Sequence, residues 1–309
     1  MTITARPYRD LRDLKEMQAV LTAGRQADNH AYYVHPGDLS WWLFYTDESS
    51  LDTKICLWEW NSSLVGWSLL SPSSRTFDVF VRPELHGRSL EARILLWAEE
   101  SQAFNLRGMH GSSIRTMWVA ENDRHRIQWL EMRGFRPSRQ GTLLMQRSLR
   151  SELPAPRLPE GFQVRPVLGE SEVNLRAEVS YAAFASTRTV EAYRQRMLRF
   201  MRSPVYQPAQ DLVTVSPDGC FTSFCLLWTD PVNRVGLFEP VGTHPDFQGK
   251  GLAKAVLSAG LQRLRDLGMT IASVCVETDN LPAIHLYESM GFRTSLSLLT
   301  YEKQLLLQQ

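Results

Sequence analysis

The sequence predicts an α/β (α+β) protein made of two tandem copies of one unit, each copy a mixed, mostly antiparallel sheet flanked by helices. Three observations predict it. Ile3-Thr4-Ala5-Arg6-Pro7 returns as Phe162-Gln163-Val164-Arg165-Pro166, each time just ahead of a helix-like stretch. The strand-like and helix-like segments that follow come in the same order in both halves, down to a glycine–phenylalanine pair, Gly134-Phe135 and Gly291-Phe292. Between the halves, residues 149–162 read LRSELPAPRLPEGF, and three prolines among polar residues describe a semi-rigid linker. A repeated pattern of this kind is most economically a duplicated structural module. The expected division is 1–150, a linker over 151–160, and 161–309.

Each element follows from local pattern. Residues 9–22 and 171–184 read as the first helix of each copy. Alternating β-branched and aromatic runs come next, over 54–60, 64–70 and 76–81 with Asn61-Ser62-Ser63 as a hairpin turn. Their counterparts are 211–215, 220–229 and 234–243, with Pro217-Asp218-Gly219 as the turn. Helices follow over 90–104 and 251–267; in the latter, Leu252, Val256, Leu257, Leu261 and Leu264 recur at helical spacing and make one apolar face. After strands 116–120 and 271–277, a second helix in each half stops at Gly134 or Gly291, where glycine suits a left-handed helix end. Strands 141–149 and 295–303 close the two copies.

Composition narrows the function. With 43% hydrophobic and 22% charged residues the chain is an ordinary globular protein, and its net charge of +1 argues against broad attraction to nucleic acid or an anionic membrane. Residues 1–10 lack the apolar run of a signal peptide, and no stretch approaches the roughly 18 to 20 apolar residues of a membrane span, so a cytoplasmic protein is expected. Cys56, Cys220, Cys225 and Cys275 are scattered through apolar segments without metal-site spacing; four buried, reduced thiols and no metal are expected.

Two segments carry chemistry. In Thr243-His244-Pro245-Asp246-Phe247-Gln248-Gly249-Lys250-Gly251-Leu252-Ala253-Lys254, an extended run enters a glycine-rich turn and then an amphipathic helix. The first turn of a helix has free N–H groups and partial positive charge, which suit a phosphate, and glycine removes the Cβ atoms that would block its approach. Taken alone, such a turn is as readily a simple tight turn. The other segment, Asn280-Leu281-Pro282-Ala283-Ile284-His285-Leu286-Tyr287-Glu288-Ser289-Met290-Gly291-Phe292, reads as polar turn, helix and glycine cap, with Pro282 tolerated in the first helical turn.

Together these resemble the two signatures of the GNAT superfamily of N-acetyltransferases. Gln248-x-x-Gly251-x-Ala253 matches its (Arg/Gln)-x-x-Gly-x-(Gly/Ala) coenzyme A loop, and Asn280 to Phe292 matches Asn-x-x-Ala-x-x-Leu-Tyr-x-x-x-Gly-Phe at every defined position. The resemblance covers residues 160–303 strongly and 1–150 weakly; the tandem layout is also similar to that of mycothiol synthase, in layout only. It implies acetyl transfer from acetyl-CoA to a primary amine of a small molecule or peptide by direct attack. The alternative is a catalytically idle acyl-CoA-binding sensor or scaffold of the same shape. By the resemblance, Gln248, Gly249, Lys250, Gly251, Leu252, Ala253 and Lys254 hold the pyrophosphate, and Asn280 and the backbones of Val241 and Thr243 meet the pantetheine arm. Tyr287 would protonate the departing thiolate. Pro240 and Gly242 should interrupt the strand where that arm enters, since proline cannot donate to a ladder. Glu239, near the end of the same strand, is the general-base candidate. His244, His285 and Cys275 are lesser candidates, read as surface or packing residues.

At matching places the first half has His86 for Gln248, Ser89 for Gly251, Glu91 for Ala253, Asp123 for Asn280, Arg126 for Ala283, Leu130 for Tyr287 and Phe77 for Glu239. It reads as a degenerate copy that keeps the fold without the chemistry, packs on the second half as a dimer partner would, and so suits a monomer. Its aromatic patch, Tyr32, Tyr33, Trp41, Trp42, Phe44 and Tyr45, would line an acceptor pocket or pack between domains.

Overall fold

The computed structural model describes residues 3–27, 33–45, 51–107 and 113–305. The first half supplies β1 (Ile3–Pro7), α1 (Leu11–Ala27), α2 (Pro36–Tyr45), α3 (Leu51–Lys54), β2 (Ile55–Trp60), β3 (Ser63–Ser71), β4 (Thr76–Val81), α4 (Ser89–Asn105), β5 (Ser113–Ala120), α5 (Arg124–Met132) and β6 (Arg136–Ser148). The second supplies β7 (Gln163–Pro166), α6 (Val173–Ala183), α7 (Val190–Met201), β8 (Asp211–Val215), β9 (Phe221–Asp230), β10 (Val235–Thr243), α8 (Leu252–Asp266), β11 (Ile271–Glu277), α9 (Leu281–Ser289) and β12 (Arg293–Gln304). The duplicated order is therefore present, with three helices beyond those read from sequence. In α2 the run Trp41-Trp42-Leu43-Phe44-Tyr45 is apolar all round and has no polar face to reveal a helix. For α7 a signal did exist: Tyr193, Met197, Phe200 and Met201 are its buried residues, and the Thr189 side chain caps it by accepting from Ala192 N.

Local chemistry explains the joints. Asn61 and Ser62 both have φ near the left-handed region, 50° and 63°, as a two-residue hairpin between β2 and β3 requires. Gly134 and Gly291 have φ of 86° and 85°, and after each the phenylalanine N–H returns to the last helical turn, Phe135 to Leu130 O and Phe292 to Tyr287 O, both at 3.0 Å.

All twelve strands form one sheet, in the order β1-β2-β3-β4-β5-β12-β6-β11-β10-β9-β8-β7. The closing strands are where the sequence puts them, but each lies on the other half. Antiparallel to β11 runs β6, from Ser148 opposite Ile271 to Thr142 opposite Glu277; β12 runs antiparallel to β5 in the same way. The two exchanged strands also pair with each other. Were these two strands missing, β5 and β11 would be open edges, which invite wrong pairing. One face of the sheet carries the cores beneath α1 and α2 and beneath α6 and α7; the other carries those beneath α4 and α5 and beneath α8 and α9.

Helix α2 also reaches across. Trp41 meets Phe200 edge-on at 5.1 Å, and a Cβ at Gly37 would fall 2.3 Å from the Cβ of Trp228, so only glycine fits that approach. Asn233 Nδ2 donates to Thr22 O at 3.0 Å.

One expectation fails. All four cysteines are free thiols, but Cys275 is only half-buried, and Cys220 is exposed, because it closes the solvent-facing turn after Pro217-Asp218-Gly219 instead of entering β9.

Strand exchange makes the halves interdependent. Cleavage within 151–160 should leave two fragments that co-elute on size exclusion, while neither fragment alone shows a cooperative thermal transition; a fragment melting cooperatively by itself would contradict this.

Candidate active site

The site begins where β10 leaves β11. The two pair in parallel through Val235–Phe238 against Ile271 to Val274, and then part. On its other side β10 shifts register against β9 between Phe238 and Val241, so Glu239 and Pro240 form a bulge. Proline has no N–H for the ladder, which explains why the interruption falls there. Beyond it, Val241 and Thr243 pair with Cys225 and Ser223 of β9, and their edge toward β11 is left without a strand. Gly242 has a different reason from the one read in sequence: it stays in register, and a Cβ there would lie 2.5 Å from the Phe224 ring.

The loop after β10 makes a short 3-10 turn over Pro245–Phe247, whose first N–H is held by His244 Nδ1 accepting from Asp246 N at 3.2 Å. Gly249 and Gly251 then adopt φ of 76° and 78°, and a Cβ at either would meet nothing within 4 Å. Side chains would strain the backbone at both places, and the space before them is open. Gly251 is the N-cap of α8, and no side chain caps that helix. The first-turn N–H groups, including those of Leu252, Ala253 and Lys254, thus face an open cradle suited to an anion. Leu252 offers only its backbone, since its side chain is in the core. Gln248 and Lys254 are exposed at the rim, and the Lys250 ammonium lies 4.7 Å from the Phe247 ring.

Across the opening, the Asn280 side chain caps α9 by accepting from Ala283 N at 3.2 Å, which leaves its NH₂ group for other partners. Tyr287 is buried and packs edge-on against Phe292 at 5.8 Å. The glycine cap that returns Phe292 N to Tyr287 O therefore also fixes the tyrosine ring. Burial first, then the nearby Glu239 carboxylate and the Cys225 and Cys275 thiols, hold the phenol well above its ordinary pKa, so it keeps its proton.

Glu239 keeps limited contact with solvent at the bulge, and Trp228 Nε1 donates to its backbone carbonyl at 2.7 Å. Burial, then the Asp38 carboxylate of the first half, push its pKa up to about 8. Asp38 was not foreseen as part of this surrounding, nor were His35 and Arg25. Asp38 accepts from His35 N at 2.8 Å, and burial raises it to about 7. His35 Nδ1 accepts from Gly37 N at 2.9 Å, so its Nε2–H donates to Val235 O, joining α2 to β10; burial lowers its pKa to about 3, and the ring is neutral. Arg25, 1% exposed, donates to Tyr33 O and Val34 O. A sequence signal existed for Arg25 alone: it falls on the buried side of α1, four residues after Leu21.

The remaining candidates separate. His285 is exposed, and His244 serves its turn. Cys275 belongs with Ala120, Leu144, Leu296 and Leu298, and burial holds its thiol protonated. Among the described residues no group of three or more His, Cys, Asp or Glu is placed to hold a metal ion, and no helix is long and apolar enough to cross a membrane.

The first half replaces every part. Leu130 and Phe77 lie in the core. Glu91 reaches back into its own loop and accepts from Gly87 N at 2.7 Å and from Arg126 Nη2 at 2.9 Å. Arg126 also donates to Val79 O at 3.0 Å, and both side chains of the pair are 4% exposed. Burial opposes the charge on Glu91, but Arg126 and the Gly87 N–H overcome it and hold its pKa below the usual range. A carboxylate of the chain itself thus takes the place an external phosphate would need. Of the aromatic patch, Trp41, Trp42 and Tyr45 border a cavity in the first half, Phe44 packs between the halves, and Tyr33 is buried; Tyr32 lies outside the described residues.

Comparison with known proteins gives a consistent picture. The acetyltransferase (GNAT) family model matches residues 179–292. A mycothiol acetyltransferase of Streptomyces coelicolor is 31% identical over 225 residues, which are 72% of this chain and 68% of the relative. One from Pseudarthrobacter chlorophenolicus is 26% identical, over 71% of this chain and 67% of its own. Among solved structures, a tandem GNAT protein from the clavulanic acid biosynthesis pathway superposes with a TM-score of 0.70 at 13% identity, covering 98% of both chains. A GCN5-related N-acetyltransferase from Sphaerobacter thermophilus gives 0.67 at 19% identity, covering 98% of this chain and 95% of its own. At these identities the structures speak for the fold.

Calorimetry should therefore find one coenzyme A per chain, and Gly251→Val should weaken it at least about tenfold by straining and filling the cradle. Two equivalent sites, or an unaffected variant, would show that the loop is not the anion site.

Proposed function

Because this chain belongs to the GNAT acetyltransferase family, we propose that its second half lays acetyl-CoA along α8 and β10 and passes the acetyl group directly to a primary amine held beside Glu239. The observation that carries this reading is the gap between β10 and β11. It leaves one edge of Val241 and Thr243 without a strand partner, between the open cradle at 249–254 and the pair Glu239 and Tyr287. A pantetheine arm has amides that can pair with such an edge as an added strand.

The chemistry then follows from the two side chains. An amine arrives as an ammonium and must lose a proton before its lone pair can attack. Glu239, with a pKa near 8, is close to the operating pH and can take that proton. The C–N bond forms at the thioester carbonyl as the C–S bond breaks, with strand N–H groups polarising the oxygen. Tyr287 keeps its O–H at neutral pH and gives that proton to the leaving thiolate, and the surplus proton on the acylated nitrogen then restores the phenol. No covalent acyl-enzyme is required, in keeping with the protonated, packed thiol of Cys275. A catalytically idle scaffold would need neither group, and nothing in the site favours it. For the acceptor, the names of the relatives support the deacetylated precursor of mycothiol as the amine to test first.

Thiol release from acetyl-CoA with that amine, and with a panel of others, tests the reading. Tyr287→Phe should lower kcat roughly 10²-fold or more with little change in KM for acetyl-CoA. An unchanged kcat would remove Tyr287 from the mechanism.

The base has its own signature. Because Glu239 acts deprotonated, kcat/KM should rise with pH and level off above about 8, and Glu239→Gln should abolish that inflection. A wild-type profile that is flat over this interval would exclude Glu239 as the base.

A further inference from the structure

Glu239 differs from the rest of the site in how its backbone is held. Phe238 pairs with Leu227 and Val241 with Cys225, so Glu239 and Pro240 together stand opposite the single residue Leu226. A residue in a bulge is not aligned by the ladder, and its carbonyl turns to a donor outside it. Here that donor is a side chain: the Trp228 indole, whose Nε1–H reaches the Glu239 carbonyl at 2.7 Å.

The indole is itself held from two sides. Trp228 is buried in β9 opposite Leu237, two residues before Glu239, so its ring leans over the bulge from the neighbouring strand. Phe200 of α7 meets that ring at 6.3 Å and 60°. From the first half, Gly37 of α2 comes so close that a Cβ there would fall 2.3 Å from Cβ and 2.5 Å from Cγ of Trp228. These are the atoms from which the indole takes its direction. His35, just before α2, anchors the start of that helix on the same catalytic strand by donating to Val235 O at 3.2 Å. A chain of contacts thus runs from α2 through Gly37 and Trp228 to the carbonyl of Glu239. A buried indole needs an acceptor for its N–H. The acceptor it takes here belongs to the residue whose carboxylate lies beside Tyr287.

We infer that Trp228 is a positioning residue for the base. Its N–H fixes the carbonyl of the bulge, and with it the direction in which the Glu239 carboxylate leaves the strand, while Gly37 and Phe200 hold the indole in place. The inference rests on Glu239 acting as the base, and Trp228 acts through that residue.

The test compares wild type with Trp228→Phe, which keeps a buried ring and removes the N–H, in the full chain. The carboxyl resonance of Glu239 in protein made with isotope-labelled glutamate, identified as the one absent from Glu239→Gln, follows its titration without any acceptor. A loosened bulge gives the carboxylate more water, so its midpoint, about 8 in wild type, should move down by at least about half a pH unit. In the same variant kcat/KM with the deacetylated precursor of mycothiol should fall at least about tenfold. Asp38, Cys275 and Tyr287, the titratable groups beside Glu239, are the same in both proteins. Coenzyme A affinity by calorimetry should stay within about threefold, whereas general damage to the fold would weaken it too. An unmoved midpoint, or a loss of coenzyme A affinity as large as the loss of kcat/KM, overturns the inference. Should Trp228→Phe fail to melt cooperatively, benzothienylalanine at position 228, which has the shape of tryptophan and sulfur in place of the N–H, is held to the same criteria. Failure of the base reading looks different: kcat/KM indifferent to Glu239→Gln would remove Glu239 from the chemistry and leave Trp228 no base to position.

Discussion

The structure depends on one backbone constraint: after Phe238, strand β10 cannot continue its pairing with β11. Proline at 240 removes a ladder donor, the bulge absorbs Glu239 and Pro240, and the two strands diverge. Everything distinctive about the site is downstream of that divergence. It frees one edge of Val241 and Thr243, places Glu239 where a carboxylate is both reachable and poorly solvated, and leads the chain into the uncapped start of α8. A continuous ladder would have satisfied the same amides internally and left no place for a thioester arm.

Much of this was legible in the sequence because it rests on local rules. Positive φ at Gly249, Gly251, Gly134 and Gly291 follows from what a turn or a helix end demands of the backbone. Pro240 announces an interruption without any knowledge of the neighbouring strand. What stayed hidden is long-range. No local pattern says that β6 pairs with β11 and β12 with β5, because either arrangement buries the same alternating face. Asp38 and His35 were hidden for a similar reason: their meaning comes from Val235 and Glu239, about two hundred residues away, and from burial that the sequence of α2 does not declare. Cys220 shows the reverse error, in which an apolar neighbourhood in sequence was taken for one in space.

The first half keeps the fold while carrying other residues at each place of the site. Glu91 does more than repel a phosphate: clamped by Arg126 and the Gly87 N–H, it supplies the anion that the loop geometry still favours. The exchanged strands make this half part of the same sheet as the other, and His35, just before α2, bonds to β10. It acts on the second half structurally, through the shared sheet, and electrostatically, through Asp38, which helps to set the affinity of Glu239 for its proton.

The central claim, that a freed strand edge receives the cofactor arm, is tested most directly by a crystal structure with coenzyme A. The account expects the pyrophosphate on the N–H groups of 249–254, the pantetheine amides bonded to the backbones of Val241 and Thr243, and the sulfur next to the Tyr287 hydroxyl. Coenzyme A lodged in the first half instead, or bound with β10 and β11 closed on each other, would contradict it.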